Sequence, residues 1–227
     1  MNMMKWIAAA VALLAPAGTV AAAGNGAENA NGPIWGVRGA LDLNIPGRWH
    51  GDAGSVKMYR NGFGATLGAV CNIPLGRSPF YLEPGVSFFY DTYSYDGLTV
   101  MGADDSEIHD PGICKLGVRV PVVAGYDFVI AGRLNMTVYT GPELSYAFSG
   151  KVKLNDDQKQ IVGDDFDNNI FGRNGQSRID CAWKVGVGFP IDNMMVGVDA
   201  AIGMTDLLRT PMSFRENRVS VSFTYYL

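Results

Sequence analysis

The chain has 227 residues, a formal net charge of −4, 18% charged residues and 29 glycines. That length suggests one domain, and the lack of a basic stripe excludes a nucleic-acid footprint. The 3 cysteines, Cys71, Cys114 and Cys181, show neither CxxC nor Cys/His spacing, so no metal or redox motif is present.

Met1 to Ala23 reads as a secretory signal peptide. Lys5 gives the positive start, Trp6 to Ala15 an apolar core too short to span a membrane, and Ala21-Ala22-Ala23 a cleavage site before Gly24. No cysteine lies near that site, so a lipoprotein anchor is not expected. Gly24 to Pro33 reads as a flexible leader, and residues 34–227 as one domain. Beyond Ala23 there is no run of about 18 apolar residues, hence no transmembrane helix.

Period-two alternation then predicts strands. Strand one, Ile34 to Ile45, sets Trp35, Val37, Leu41, Leu43 and Ile45 against Arg38, Ala40, Asp42 and Asn44. Pro46 to Asn61 is a polar loop. Strand two, Gly62 to Ile73, turns Phe63, Ala65, Leu67, Ala69, Cys71 and Ile73 outward over a small-residue face. Pro74 to Pro79 is a tight turn. Strand three runs from Phe80 to about Tyr93, with Leu82, Val86, Phe88 and Tyr90 opposite Tyr81, Glu83, Ser87, Phe89 and Asp91. Ser94 to Ile113 is a long acidic loop.

Strands four and five form the clearest pair. Leu116, Val118, Val120, Val122 and Ala124 alternate with Lys115, Gly117, Arg119, Pro121, Val123 and Gly125. Met136, Val138, Thr140, Pro142, Leu144, Tyr146 and Phe148 alternate with Asn135, Thr137, Tyr139, Gly141, Glu143, Ser145 and Ala147. Tyr126 to Gly132 is expected to join them, and Gly150 to Arg178 is the longest loop. Strand six is Ile179 to Ile191, with Asp180, Lys184, Gly186 and Gly188 on its polar face. Asp192-Asn193 is a two-residue turn into strand seven, Met194 to Met204, which carries Asp199. Thr205 to Asn217 is the last loop. Strand eight, Arg218 to Leu227, alternates Val219, Val221, Phe223, Tyr225 and Leu227 with Arg218, Ser220, Ser222, Thr224 and Tyr226.

These strands reach the roughly 9–11 residues that a tilted strand needs to cross a bilayer, and their connections alternate long and short. The expected fold is all-β, an eight-stranded antiparallel transmembrane β-barrel with four outer loops and both termini periplasmic. A soluble barrel has the same period with its faces exchanged. Long continuous apolar faces, polar faces mixing glycine with charge, and aromatics near strand ends (Trp35, Phe63, Phe80, Tyr81, Tyr126, Phe189, Tyr225) argue for the membrane form.

RVPVVAGYDF (Arg119 to Phe128) followed by TVYTGPELSYAF (Thr137 to Phe148) resembles the hairpin of the PorT-like eight-stranded outer-membrane β-barrel family of Bacteroidetes. LEPGVSFFY, RIDCAWKVGVGF and IGMTDLL are similar to that family too. The final VSVSFTYYL resembles the segment that barrel-assembly machinery recognises. The resemblance covers Ile34 to Leu227 and implies fold and location, with outer-membrane lipid and the assembly machinery as partners. The name-giving member acts in protein export, a role that the resemblance does not imply for this chain.

The polar faces hold the candidate site residues, expected to pair inside the barrel: Arg38, Asp42, Glu83, Asp91, Lys115, Arg119, Glu143, Asp180, Lys184, Asp199 and Arg218. Eight strands leave room for little beyond side chains, so a plugged interior is expected over a channel. His50 (near Asp52 and Ser55) and His109 (near Ser106 and Asp110) lie in loops, where solvation is the simpler reading than a catalytic triad. Asp164, Asp165, Asp167, Asn168 and Asn169, or Asp104, Asp105, Glu107 and Asp110, supply oxygens but not the EF-hand spacing for calcium. A Cys114–Cys181 disulfide would have to span two inter-strand steps, about 9–10 Å, beyond normal reach. No catalytic residue, metal or cofactor is expected. The expected role is non-enzymatic, structural or surface-interacting, with an extracellular ligand or protein met by the loops. A small-solute channel or accessory barrel of a secretion system is the alternative, and a lipid-modifying enzyme the remote one.

Overall fold

The computed structural model describes residues 32–51, 54–96, 111–130, 134–154, 168–172, 175–208 and 212–227. The signal peptide, most of the leader, His109 with its neighbours, and the acidic runs at 104–110 and 164–167 lie outside the described residues.

Eight long strands carry the architecture: β1 (Ile34–Pro46), β5 (Gly62–Pro74), β6 (Phe80–Tyr95), β7 (Gly112–Ile130), β8 (Leu134–Lys153), β9 (Ile179–Ile191), β10 (Met194–Gly203) and β11 (Glu216–Tyr226). Three short strands, β2 (Trp49–Gly51), β3 (Gly54–Val56) and β4 (Tyr59–Arg60), occupy the segment expected to be a polar loop. Among the described residues there is no helix. Each long strand pairs antiparallel with its sequence neighbour, and β1 pairs with β11, which closes the barrel. Closure leaves no long strand at an edge, so the ladder satisfies its own backbone groups without water.

The two faces divide as the alternation requires. Leu41 and Phe63 are each 74% exposed on the outside, within a belt that includes Leu67, Phe88, Leu144 and Val221. Asp42 is 2% exposed and Arg119 4%, on the inside. Charges inside and apolar side chains outside are the reverse of a soluble barrel; the molecule is a transmembrane β-barrel.

The inner wall is fitted by cross-strand pairs of glycine and aromatic residues. Tyr81 stands opposite Gly125, Phe89 opposite Gly117 and Tyr139 opposite Gly186. A Cβ at any of these glycines would fall within the facing ring. The glycine faces read from sequence are therefore the floors on which interior rings lie. The short connections are equally specific. Asp192 turns at φ 52°, a left-handed conformation that aspartate tolerates, and Gly76 at φ 69°.

Several boundaries differ from the sequence expectation. β7 and β8 continue to Ile130 and from Leu134, so the expected joining loop is mostly strand. The residues Tyr126 to Ile130 lose clean alternation because the hairpin runs beyond the barrel wall and faces no core. β8 also extends to Lys153, past a bulge. Gly117 pairs with Ala147 and Leu116 with Ser149, which leaves Phe148 as an extra residue. The extra residue reverses the phase of β8: Gly150 is buried, while Lys151 and Lys153 are exposed. Tyr81, placed among the girdle aromatics, is an interior ring at 4% exposure. Cys71, assigned to the lipid-facing surface, is buried; all three cysteines are free.

Candidate functional site

The interior side chains arrange themselves in tiers along the barrel. Nearest the short turns, Arg38 on β1 pairs with Glu83 on β6 (Nη1 to Oε1, 2.8 Å) and donates from Nε to Thr224 Oγ1 at 2.6 Å. The Tyr226 hydroxyl donates to the other oxygen of Glu83 at 2.9 Å. Tyr81 and Thr137 share a hydroxyl–hydroxyl bond of 2.9 Å, and Thr224, Thr137 and Val123 are fully buried around them. This end of the lumen is filled.

The middle tier is a network of seven charges from seven strands. Arg119 of β7 places Nη1 2.9 Å from Asp42 Oδ2 and Nη2 on Asp91 Oδ2. The same Nη1 donates to Thr66 Oγ1 at 2.7 Å, and Thr66 donates on to Asp42 at 2.5 Å. Its guanidinium carbon lies 4.1 Å from the centroid of the Phe89 ring. Arg218 of β11 donates to Glu143 Oε1 at 2.6 Å, and Ser220 to Asp42 Oδ1 at 2.6 Å. Lys184 of β9 stands 3.0 Å from Asp199 and 3.9 Å from Glu143, while the Tyr139 hydroxyl donates to Asp199 at 3.2 Å. Ions so far from water are tolerable only when each meets its counter-charge and further hydrogen bonds. Here every carboxylate of the tier faces a cation.

Above it, Lys115 meets Glu216 at 2.5 Å and lies 5.2 Å over the Tyr93 ring, whose hydroxyl donates to Glu216 at 2.7 Å. The long-loop end is then capped by an apolar cluster: Tyr59, Phe89, Tyr93, Ile113, Ala147, Ile170, Phe171, Leu207 and Phe214. Tyr59 is its hub, in ring contact with Trp49, Tyr93, Tyr95 and Phe214 at 5.1–5.8 Å. Gln176 descends into the cap and donates to the Tyr59 and Tyr93 hydroxyls at 3.3 and 3.4 Å.

Small cavities lie between the tiers, two of them lined by described residues of the lumen. One, of about 50 Å³, lies between middle tier and cap, with Asp91, Lys115, Asp180 and Glu216 in its lining. The other, of about 30 Å³, lies below, against Arg38, Gly68, Gly85 and Ser222. Arg119, Glu143 and Arg218 line both, so the middle tier is the partition between them. At roughly 10–15 Å³ per water molecule, each has room for a few waters.

The structure thus places all eleven sequence-derived candidates in the interior, ten of them in ion pairs. Asp180 lines the upper cavity instead, and its buried Oδ1 has no hydrogen-bond partner among the described residues. Sequence reasoning missed Glu216, assigned to the last loop although it continues the inward row Arg218, Ser220, Ser222, Thr224 and Tyr226. It also missed the cap, whose loop residues follow no period. His50 is held in the β2–β3 ribbon, opposite Ser55, with Nδ1 2.9 Å from the Arg48 carbonyl oxygen. Among the described residues no cluster of His, Cys, Asp or Glu has the geometry to hold a metal.

No protein-family model matches the chain, and no curated protein matches it. Among solved structures it is similar to the Neisserial surface protein A (13% identity, TM-score 0.45, covering 84% of this chain and 96% of that one). It is similar also to OprG from Pseudomonas aeruginosa (11%, 0.45, 87% and 97%). A third is Ail, the attachment invasion locus protein of Yersinia pestis, in complex with the heparin analogue sucrose octasulfate (12%, 0.41, 86% and 99%). At such identities and scores these likenesses assign no task to the present chain.

Proposed function

We propose that the chain is a non-enzymatic barrel of the bacterial outer membrane whose lumen is closed, and whose role is structural or surface-interacting through its outer loops. The observation that carries this reading is the partition. Arg119, Asp42, Asp91, Glu143 and Arg218 join opposite walls between two cavities with room for a few waters each. Above them the apolar cap covers the lumen, and below them Arg38, Glu83 and the Tyr81–Thr137 bond fill it. A path for solute would require parting several buried ion pairs at once, each costing about 3–5 kcal/mol when one partner is lost. The apolar belt supports the membrane placement, and the Arg119 to Phe148 hairpin supports affiliation with PorT-like barrels.

A second reading, a gated small-solute channel, draws on the cavities flanking a single ionic layer. Swelling of vesicles loaded with the refolded protein separates the two. A closed barrel leaves the influx of a small sugar and of glycine at the rate of protein-free vesicles. Influx that scales with protein content would overturn the closed-lumen reading in favour of the channel.

A further inference from the structure

The β8 bulge has an electrostatic result. By the phase that holds from Thr137 to Ala147, odd-numbered residues face the lumen, so Lys151 and Lys153 would enter the cap. The extra Phe148 turns both outward and leaves Gly150 and Val152 to face the cap. The bulge re-aims two cations from an apolar interior to the membrane face.

The ground they meet there is specific. Directly across on β7 stand two small residues, Cys114 opposite Lys151 and Gly112 opposite Lys153. Lys153 is drawn over this low ground towards β6, where its Nζ is 3.2 Å from the Tyr90 hydroxyl and 5.9 Å from the ring centroid. Beneath the lysines, the apolar Leu116, Leu144 and Phe148 face outward. Tyr90, Tyr146 and Phe148 mark the depth at which aromatic residues meet lipid headgroups. Residues two apart on one strand face have Cα atoms about 6–7 Å from each other, so the two lysine side chains can converge on one phosphate group and its neighbours. We propose that Lys151, Lys153 and Tyr90 form a docking surface for the phosphate-bearing headgroup of a lipid in the outward-facing leaflet, whose chains lie along Leu116 and Leu144. This rests on the membrane placement proposed above.

The test is native mass spectrometry of the refolded chain with a diphosphorylated glucosamine-based lipid, with its dephosphorylated analogue, and with inorganic phosphate as competitor. The diphosphorylated lipid is retained in preference to the analogue. K151Q/K153Q weakens that retention by on the order of tenfold or more, taking each near-surface lysine at its usual worth. K151R/K153R restores it, and K57Q, in the exposed segment before β4, leaves it unchanged. Equal retention of the two lipids, or no effect of K151Q/K153Q, overturns the proposal. Displacement by inorganic phosphate overturns the commitment to a lipid. Heat-modifiable migration and bilayer insertion are recorded for every sample. A barrel that inserts without discriminating sinks this inference alone, whereas failure to insert sinks the membrane placement with it.

Discussion

Arg119 and Asp42 lie three strands apart around the barrel wall and 77 positions apart in sequence, yet their side chains meet across the lumen at 2.9 Å. Arg119 also binds Asp91 from the adjacent strand and stands 3.8 Å from Glu143 on the other side. One side chain therefore ties β1, β6 and β8 to β7. Removing it leaves three carboxylates facing one another in a site that water scarcely reaches. Arg119→Gln should destabilise the folded barrel by about 3–5 kcal/mol, measured by urea unfolding in lipid vesicles. A loss under about 1 kcal/mol, the range of exposed pairs, would mean that the network is hydrated and weak.

The cap depends on one amide. Gln176→Ala leaves the Tyr59 and Tyr93 hydroxyls without its donors. A cost of about 1–3 kcal/mol follows. Because the middle tier is untouched, the loss should appear as faster proteolysis of the segments around Gln176, with the heat-modifiable barrel retained. Unchanged proteolysis would show that apolar packing alone holds the cap.

The glycine floors make a steric prediction. At Gly186 a methyl group would fall within the Tyr139 ring and against the Asp199 Cβ. Tyr139 holds Asp199, which holds Lys184. Gly186→Ala should lower stability by about 1–3 kcal/mol through overpacking. The paired change G186A/Y139A, which removes the obstructing ring, should lose less than the sum of its parts. Strict additivity would contradict this account of the pair.

The outside face tests the solvent. Leu41 is 74% exposed on the apolar belt, with Val221 and Ala65 beside it. Leu41→Arg should cost about 2–4 kcal/mol of folding free energy in a bilayer. The measurement is folded fraction against urea in phosphatidylcholine vesicles. A neutral or stabilising effect would mean that this face meets water.

Much of the wall was legible because its signal is local. A strand between lipid and lumen must alternate at every step, so Arg38, Asp42, Glu83, Arg119, Glu143 and Arg218 declare their face from their neighbours alone. Who meets whom is not local. Nothing in the sequence reveals that Arg119 reaches Asp42, because that contact depends on closure and strand tilt. Where alternation stops, reading stops too. Glu216 was lost because Thr205 to Asn217 shows too few alternating residues to mark where β11 begins. Phe148 fits the outward row as well as any residue before it. The phase change appears only in the pairing with Leu116 and Gly117, and with it the outward turn of Lys151 and Lys153. The cap residues Ile170, Phe171, Leu207 and Phe214 come from loops, where burial follows from contact across the barrel mouth rather than from any repeat.

The closed lumen is tested most directly by single-channel conductance of the refolded chain in a planar bilayer, with insertion verified by heat-modifiable migration. The result expected is a silent membrane, and silence again when Arg119 or Glu143 is neutralised singly, because the Arg38–Glu83 tier below and the cap above remain. Reproducible conductance steps from the unaltered protein, altered in size when Arg119 or Glu143 is neutralised, would contradict the account and mark the partition as a gate.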